Sequence, residues 1–233
     1  MRRIVLIALG VLLLAFGSAA VGLRLGGDPP VRTVAAAAAR PEQHAQPRPL
    51  LAVIGASFSA GVGAGSPGNA WPEAAARTLG WRLAVSADSG AGYVNPGLGH
   101  RGPFARLAAD LDLRRLHPSV VIVQGGHDDI GEPPSLVAER VTQLIHLVRT
   151  ASPESRLDLL TVFYTGDRPS PAAVATDTAI VTAARHADPG ITVFDPLTGH
   201  WRFPRIADHL HPSPAGHRWI ADQLIPTLRR QVT

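Results

Sequence analysis

Leu50-Leu51-Ala52-Val53-Ile54-Gly55-Ala56-Ser57 is the stretch on which the fold turns. Five apolar residues in a row, ended by glycine, form a strand covered on both faces rather than one with a wet side. The hydroxyl of Ser57 follows directly, at the C-terminal end of that strand, where open α/β sheets carry their reactive groups. Further strands are expected at residues 82–86, 120–124, 157–163 and 191–194. Between them, 3.6-residue periodicity predicts helices at residues 71–79, 104–113, 135–150, 171–187 and 214–230. Strands alternating with helices over about 180 residues imply a single α/β domain, with a doubly wound, mostly parallel five-stranded sheet flanked by helices.

The loops after these strands hold the polar residues. Ser57 follows the first strand, and Ser89-Gly90-Ala91-Gly92 the second. Gly125-Gly126-His127-Asp128-Asp129 follows the third, and a long segment after the fifth leads to Asp208-His209-Leu210-His211-Pro212. Asp208 stands three residues before His211, so one turn can hold carboxylate and imidazole together. Serine nucleophile, histidine base and orienting aspartate then occur in the chain order Ser…Asp…His, which points to acyl transfer through a serine. Two other readings stay open on residues alone. Asp208, His209, His211 and His217, with His127-Asp128-Asp129, are candidate ligands of a hydrolytic metal; His209 and His217 are read instead as a loop residue and a helix-surface residue. Ser57 in a glycine-rich turn also fits a phosphate cradle, but no lysine follows and the GxGxxG spacing is absent.

Composition narrows the chemistry further. The 233 residues contain no cysteine and no lysine, so all 22 basic side chains other than histidine are arginine. Thiol nucleophiles, thiolate metal sites, disulfides, Schiff bases and the Walker lysine are thereby excluded. The net charge of +4 comes without a long arginine run or interleaved aromatics, so no nucleic-acid partner is expected. No cofactor is called for.

At the N-terminus, Arg2-Arg3 precedes a nearly unbroken apolar stretch over residues 4–23. A positive n-region before a hydrophobic segment marks export, and Ser18-Ala19-Ala20 supplies small residues for cleavage. The same stretch is long enough to anchor the chain in a membrane if it stays uncleaved. Residues 1–24 are therefore assigned to a signal peptide or signal anchor and residues 25–49 to an Ala/Pro-rich linker. The domain, expected to be monomeric and to lie outside the cytoplasm, takes residues 50–233.

With these residues in view, the chain resembles the SGNH hydrolases, the GDSL esterase/lipase superfamily, over residues 50–231. The Gly-Asp-Ser-x-x-x-Gly block is similar to Gly55-Ala56-Ser57-Phe58-Ser59-Ala60-Gly61, and the Ser-Gly block to Ser89-Gly90. Gly-x-Asn-Asp is similar to Gly125-Gly126-His127-Asp128, and Asp-x-x-His-Pro is complete at Asp208–Pro212. Trp71-Pro72 and the final helix recur in relatives. The resemblance implies a flavodoxin-like SGNH fold, Ser57 as nucleophile, His211 as base and Asp208 as its orienting acid. It also implies an oxyanion hole formed by the Ser57 and Gly90 N–H groups and a side chain of the third block. Two departures are visible: Ala56 replaces the Asp of the first block, and His127 stands where the oxyanion Asn is expected. Short-chain acyl esters of a small molecule or glycan are the expected substrates, O-acetyl groups among them. The same machinery would serve an O-acyltransferase, and a non-catalytic envelope binding module would keep the fold without the chemistry.

Overall fold

The computed structural model describes residues 48–163, 166 and 168–232; the expected signal segment (1–24) and all but the last two residues of the expected linker (25–49) lie outside them. Five parallel strands form one sheet: β1 (Leu50–Gly55), β2 (Arg82–Ala87), β3 (Val120–Gln124), β4 (Arg156–Leu160) and β5 (Thr192–Phe194). Their spatial order is β2-β1-β3-β4-β5. The order reverses between β1 and β3, so the crevice at a topological switch point opens beyond the ends of these two strands.

Every residue of β1 is buried, because each face meets a separate apolar cluster. Ala52 and Ile54 pack with α2 (Phe104–Asp110), α4 (Pro134–Ala151) and α5 (Pro171–Ala187). Leu51 and Val53 pack on the opposite face with α1 (Trp71–Leu79) and α6 (Pro214–Gln231). β3 divides the same way, Val121 and Val123 to one side and Val120 and Ile122 to the other. Truncating one such side chain to alanine costs about 2–5 kcal/mol, since it loses burial and leaves a cavity. This two-sided demand is why the strands read as unbroken apolar runs.

Two predicted elements differ from the structure. The helix expected over residues 104–113 is broken: α2 ends at Asp110 and α3 (Leu113–Leu116) starts anew. Asp112 between them takes φ +45°, a left-handed conformation that aspartate tolerates better than most residues. The strand expected over residues 157–163 runs only from Arg156 to Leu160. Its edge partner β5 is three residues long, and pairing ends at Leu160 with Phe194. Phe163 instead stacks on Phe58, with ring centroids 4.6 Å apart, so the last part of the apolar run serves the site rather than the sheet.

Among the described residues, no helix is long and apolar enough to cross a membrane.

Candidate active site

Ser57 sits on a turn held from both ends. The amide and hydroxyl of Ser59 both donate to Gln124 Oε1 at the end of β3, at 3.1 and 2.7 Å. Val62 N–H donates to the Ser57 carbonyl at 3.0 Å. Ser57 itself is 8% exposed. Ala56, the departure from the first block, is buried in the apolar cluster around α2, α4 and α5.

The imidazole is placed by the loop before α6. Asp208 Oδ1 accepts the amides of Leu210 and His211, both at 2.9 Å, closing a tight turn. Its other oxygen, Oδ2, lies 2.6 Å from His211 Nδ1. These hydrogen bonds, the one to His211 first, pull the Asp208 carboxyl down to about 2, so it is ionised at neutral pH and accepts the Nδ1 proton. Downstream, Ser213 Oγ accepts the Gly216 amide and caps α6, fixing where the loop ends.

Two contacts bring the first and last loops together. The His211 ring lies 5.6 Å from the ring of Phe58, the residue after Ser57. Gly63, at φ +85°, leaves to the Pro212 carbonyl the space that any Cβ would fill. The serine turn and the histidine loop thus share one edge of the sheet, although about 150 residues separate them in sequence.

The second and third loops are tied to each other by Asp129. Its side chain has 0% exposure and accepts the backbone amides of Tyr93 at 2.8 Å, Val94 at 3.0 Å and Asn95 at 3.3 Å. Asn95 Nδ2 donates to the Asp128 carbonyl at 2.6 Å. Gly90 lies just upstream in this pinned loop. Among the described residues, the N–H groups of Ser57 and Gly90 donate to no backbone carbonyl of the turns and loops.

His127 lines a cavity of about 440 Å³ with Ile130, Phe163, Arg168, Ala173 and Leu197. Its Nδ1 is buried without a partner. Burial, and secondarily the charge of His211, lower its pKa and favour the neutral ring. Asp128 beside it is pushed up to about 6 by burial, then by Asp129, with His211 acting the other way.

Sequence reasoning missed two residues. His217 is not a helix-surface residue: it is fully buried. Its Nδ1 accepts the Trp71 amide at 3.2 Å, capping α1 in place of Ala70, which has no capping side chain. Its Nε2–H donates to the Val62 carbonyl at 3.0 Å. With both nitrogens used, it is not offered to a metal, and among the described residues no three His, Asp or Glu side chains gather as a metal site. The other is Asp129. The doubled Gly125-Gly126 and Asp128-Asp129 let the Gly-x-Asn-Asp pattern lie in two registers, the later being Gly126-His127-Asp128-Asp129. The structure favours the later register by backbone conformation: Gly126 has φ +107° and Gly125 has no positive φ, while the Cβ space of both is filled, by Phe104 at Gly125 and by Ile180 at Gly126. That signal was present in the sequence as an ambiguity.

A parallel five-stranded α/β sheet with these loops at its switch point defines an SGNH-type serine hydrolase acting on esters. The chain belongs to the GDSL-like lipase/acylhydrolase family, whose profile matches residues 53–219. It is 31% identical over 198 residues to a GDSL lipase of Mycobacterium tuberculosis, covering 78% of this chain and 82% of that one. Its fold is similar to family two carbohydrate esterases from Clostridium thermocellum (TM-score 0.63, 17% identity) and Cellvibrio japonicus (TM-score 0.66, 15% identity). Each comparison covers 81% of this chain, which spans 66% and 62% of those two chains.

Proposed function

We propose that the chain is an exported esterase that removes short acyl groups, glycan O-acetyl groups foremost, through Ser57, His211 and Asp208. The observation that carries this reading is the 2.6 Å contact between His211 Nδ1 and an ionised Asp208, on a loop packed against the turn of Ser57. Asp208 holds the Nδ1 proton, so Nε2 is the basic nitrogen left for the serine. Ser57 Oγ bonds the ester carbonyl carbon while its proton passes to His211 Nε2. The carbonyl oxygen becomes an oxyanion facing the Ser57 and Gly90 N–H groups and a third donor from the His127–Asp129 turn, for which His127 is the sequence-based candidate. His211 then gives its proton to the leaving alcohol. Water attacks the acyl-enzyme with His211 again as base, restoring Ser57.

Support for a short acyl group comes from the sequence of the loops over residues 96–104 and 166–171, which are mostly polar or rich in glycine and proline rather than broadly apolar. The structural relatives named as carbohydrate and acetyl xylan esterases support a glycan as the alcohol portion. Support for export comes from Arg2-Arg3 and the apolar residues 4–23.

The test is a series of p-nitrophenyl esters of increasing acyl length. Acetate is expected to exceed palmitate in kcat/KM by at least about tenfold, since mostly polar and Gly/Pro-rich loops give a long acyl chain little apolar surface to bind. A preference for palmitate would overturn the short-acyl assignment. Hydrolysis of every ester undiminished by Ser57→Ala would overturn the assigned nucleophile.

A further inference from the structure

Asp128 is the side chain of the third loop that the steps above leave without a task. It stands between the buried, fully hydrogen-bonded Asp129 and the cavity-lining His127. Its carbonyl is clamped by Asn95 Nδ2 from the loop that carries Gly90. Its carboxyl is partly buried and within electrostatic reach of His211. Among the described residues, no arginine pairs with it and no other side chain hydrogen-bonds its oxygens. His211 already gives Nδ1–H to Asp208. A partly buried carboxylate without a counter-ion is unfavourable, whereas the neutral acid is not, and it gains an O–H to donate. In the later register of Gly-x-Asn-Asp, Asp128 also takes the position of the Asn. A protonated carboxyl has the shape of that amide, with one hydroxyl in place of the NH₂ group.

We propose that protonated Asp128 is the third donor to the oxyanion, so that activity falls as this acid ionises. The inference rests on the esterase reading above and adds a control by pH to it. As Ser57 Oγ bonds the carbonyl carbon, the Asp128 O–H donates to the forming oxyanion without transferring its proton. The hydrogen bond weakens as the carbonyl re-forms and the alcohol leaves with the proton from His211. The titratable groups that act on Asp128 are His211 from the last loop and Asp129 on its own turn; His127 is its chain neighbour, and Asn95 from the second loop is neutral. Burial and Asp129 favour the neutral acid, and His211 opposes them. Above pH 6 the acid ionises and places a negative charge where negative charge develops. The sign is therefore a loss of rate with rising pH, opposite to the gain from deprotonating His211.

The experiment measures kcat/KM for p-nitrophenyl acetate from pH 5 to 9 in the parent, Asp128→Asn, Asp128→Ala, His127→Ala and Ser57→Ala. The parent is expected to lose rate toward high pH. Asp128→Asn, which cannot ionise, should lose that limb and exceed the parent at pH 8 by about 10- to 100-fold, because two pH units leave about 1% of such an acid protonated. Asp128→Ala should lack the limb but fall at least about 100-fold below Asp128→Asn, having no donor. An Asp128→Asn profile parallel to that of the parent overturns the proposal and leaves the esterase reading standing. So does a loss of about 100-fold in His127→Ala with unchanged turnover in Asp128→Ala, which would make His127 the donor. Hydrolysis that survives in Ser57→Ala overturns the esterase reading and this proposal together.

Discussion

Ser57→Ala and His211→Ala will each lower kcat toward p-nitrophenyl acetate by about 10⁴- to 10⁶-fold, and the double variant will fall no further than either single one. In the proposed mechanism the two side chains act on one bond-making event. Without the hydroxyl the imidazole has no proton to take, and without the imidazole the hydroxyl stays a weak nucleophile. Their effects are therefore not additive, in contrast to two independent contributors. The residual rate belongs to binding and to the Ser57 and Gly90 N–H groups. Asp208→Asn is part of the same prediction, with a smaller loss, because the geometry of the turn survives while the charge that fixes the tautomer does not. Single variants that multiply in the double variant would show that Ser57 and His211 work separately.

The largest effect on stability is expected at His217. Replacing it by alanine orphans the Trp71 amide and the Val62 carbonyl and leaves a cavity between α1 and α6. Losses of this kind total about 2–5 kcal/mol. For a domain of this size the midpoint of thermal unfolding should fall by roughly 5–15 °C. The pH dependence has a definite sign. Burial lowers the folded-state pKa of His217, so its contribution is complete above the ordinary histidine value of about 6.5 and is lost as pH falls below it. His217→Gln, which can both accept and donate, should recover part of the loss and none of the pH dependence. A melting midpoint within 2 °C of the parent in His217→Ala, measured at pH 8 by calorimetry, would contradict this account.

Much of the architecture was legible because β1 and β3 are buried on both faces, and two-faced burial leaves an unbroken apolar run. Helix starts were legible at Ser170-Pro171 and Ser213-Pro214, where a capping hydroxyl precedes a proline that fits the first turn. The break at Asp112 was not, since the apolar period runs through it and only the backbone conformation records the interruption. Phe163 reads as strand by composition, yet its ring is claimed by Phe58. At the site, Ser57, Asp208 and His211 stand out because their chemistry is tied to short local patterns. His217 does not, because a histidine on a helix counts as polar in any periodicity, and its burial depends on a donor at the start of α1 and an acceptor at Val62, both remote in sequence. The place of Asp129 was hidden by duplication: two glycines and two aspartates in succession permit two registers, which the φ of Gly126 and the buried contacts of Asp129 separate.

In the proposed mechanism, folding activates one hydroxyl, that of Ser57, by setting His211 against it. Treatment with a fluorophosphonate followed by intact-mass and peptide mapping tests this most directly. A single adduct on Ser57 is expected, absent from Ser57→Ala and formed far more slowly in His211→Ala. A folded parent that takes no label, or takes it on Ser59 or Ser89 instead, would contradict it.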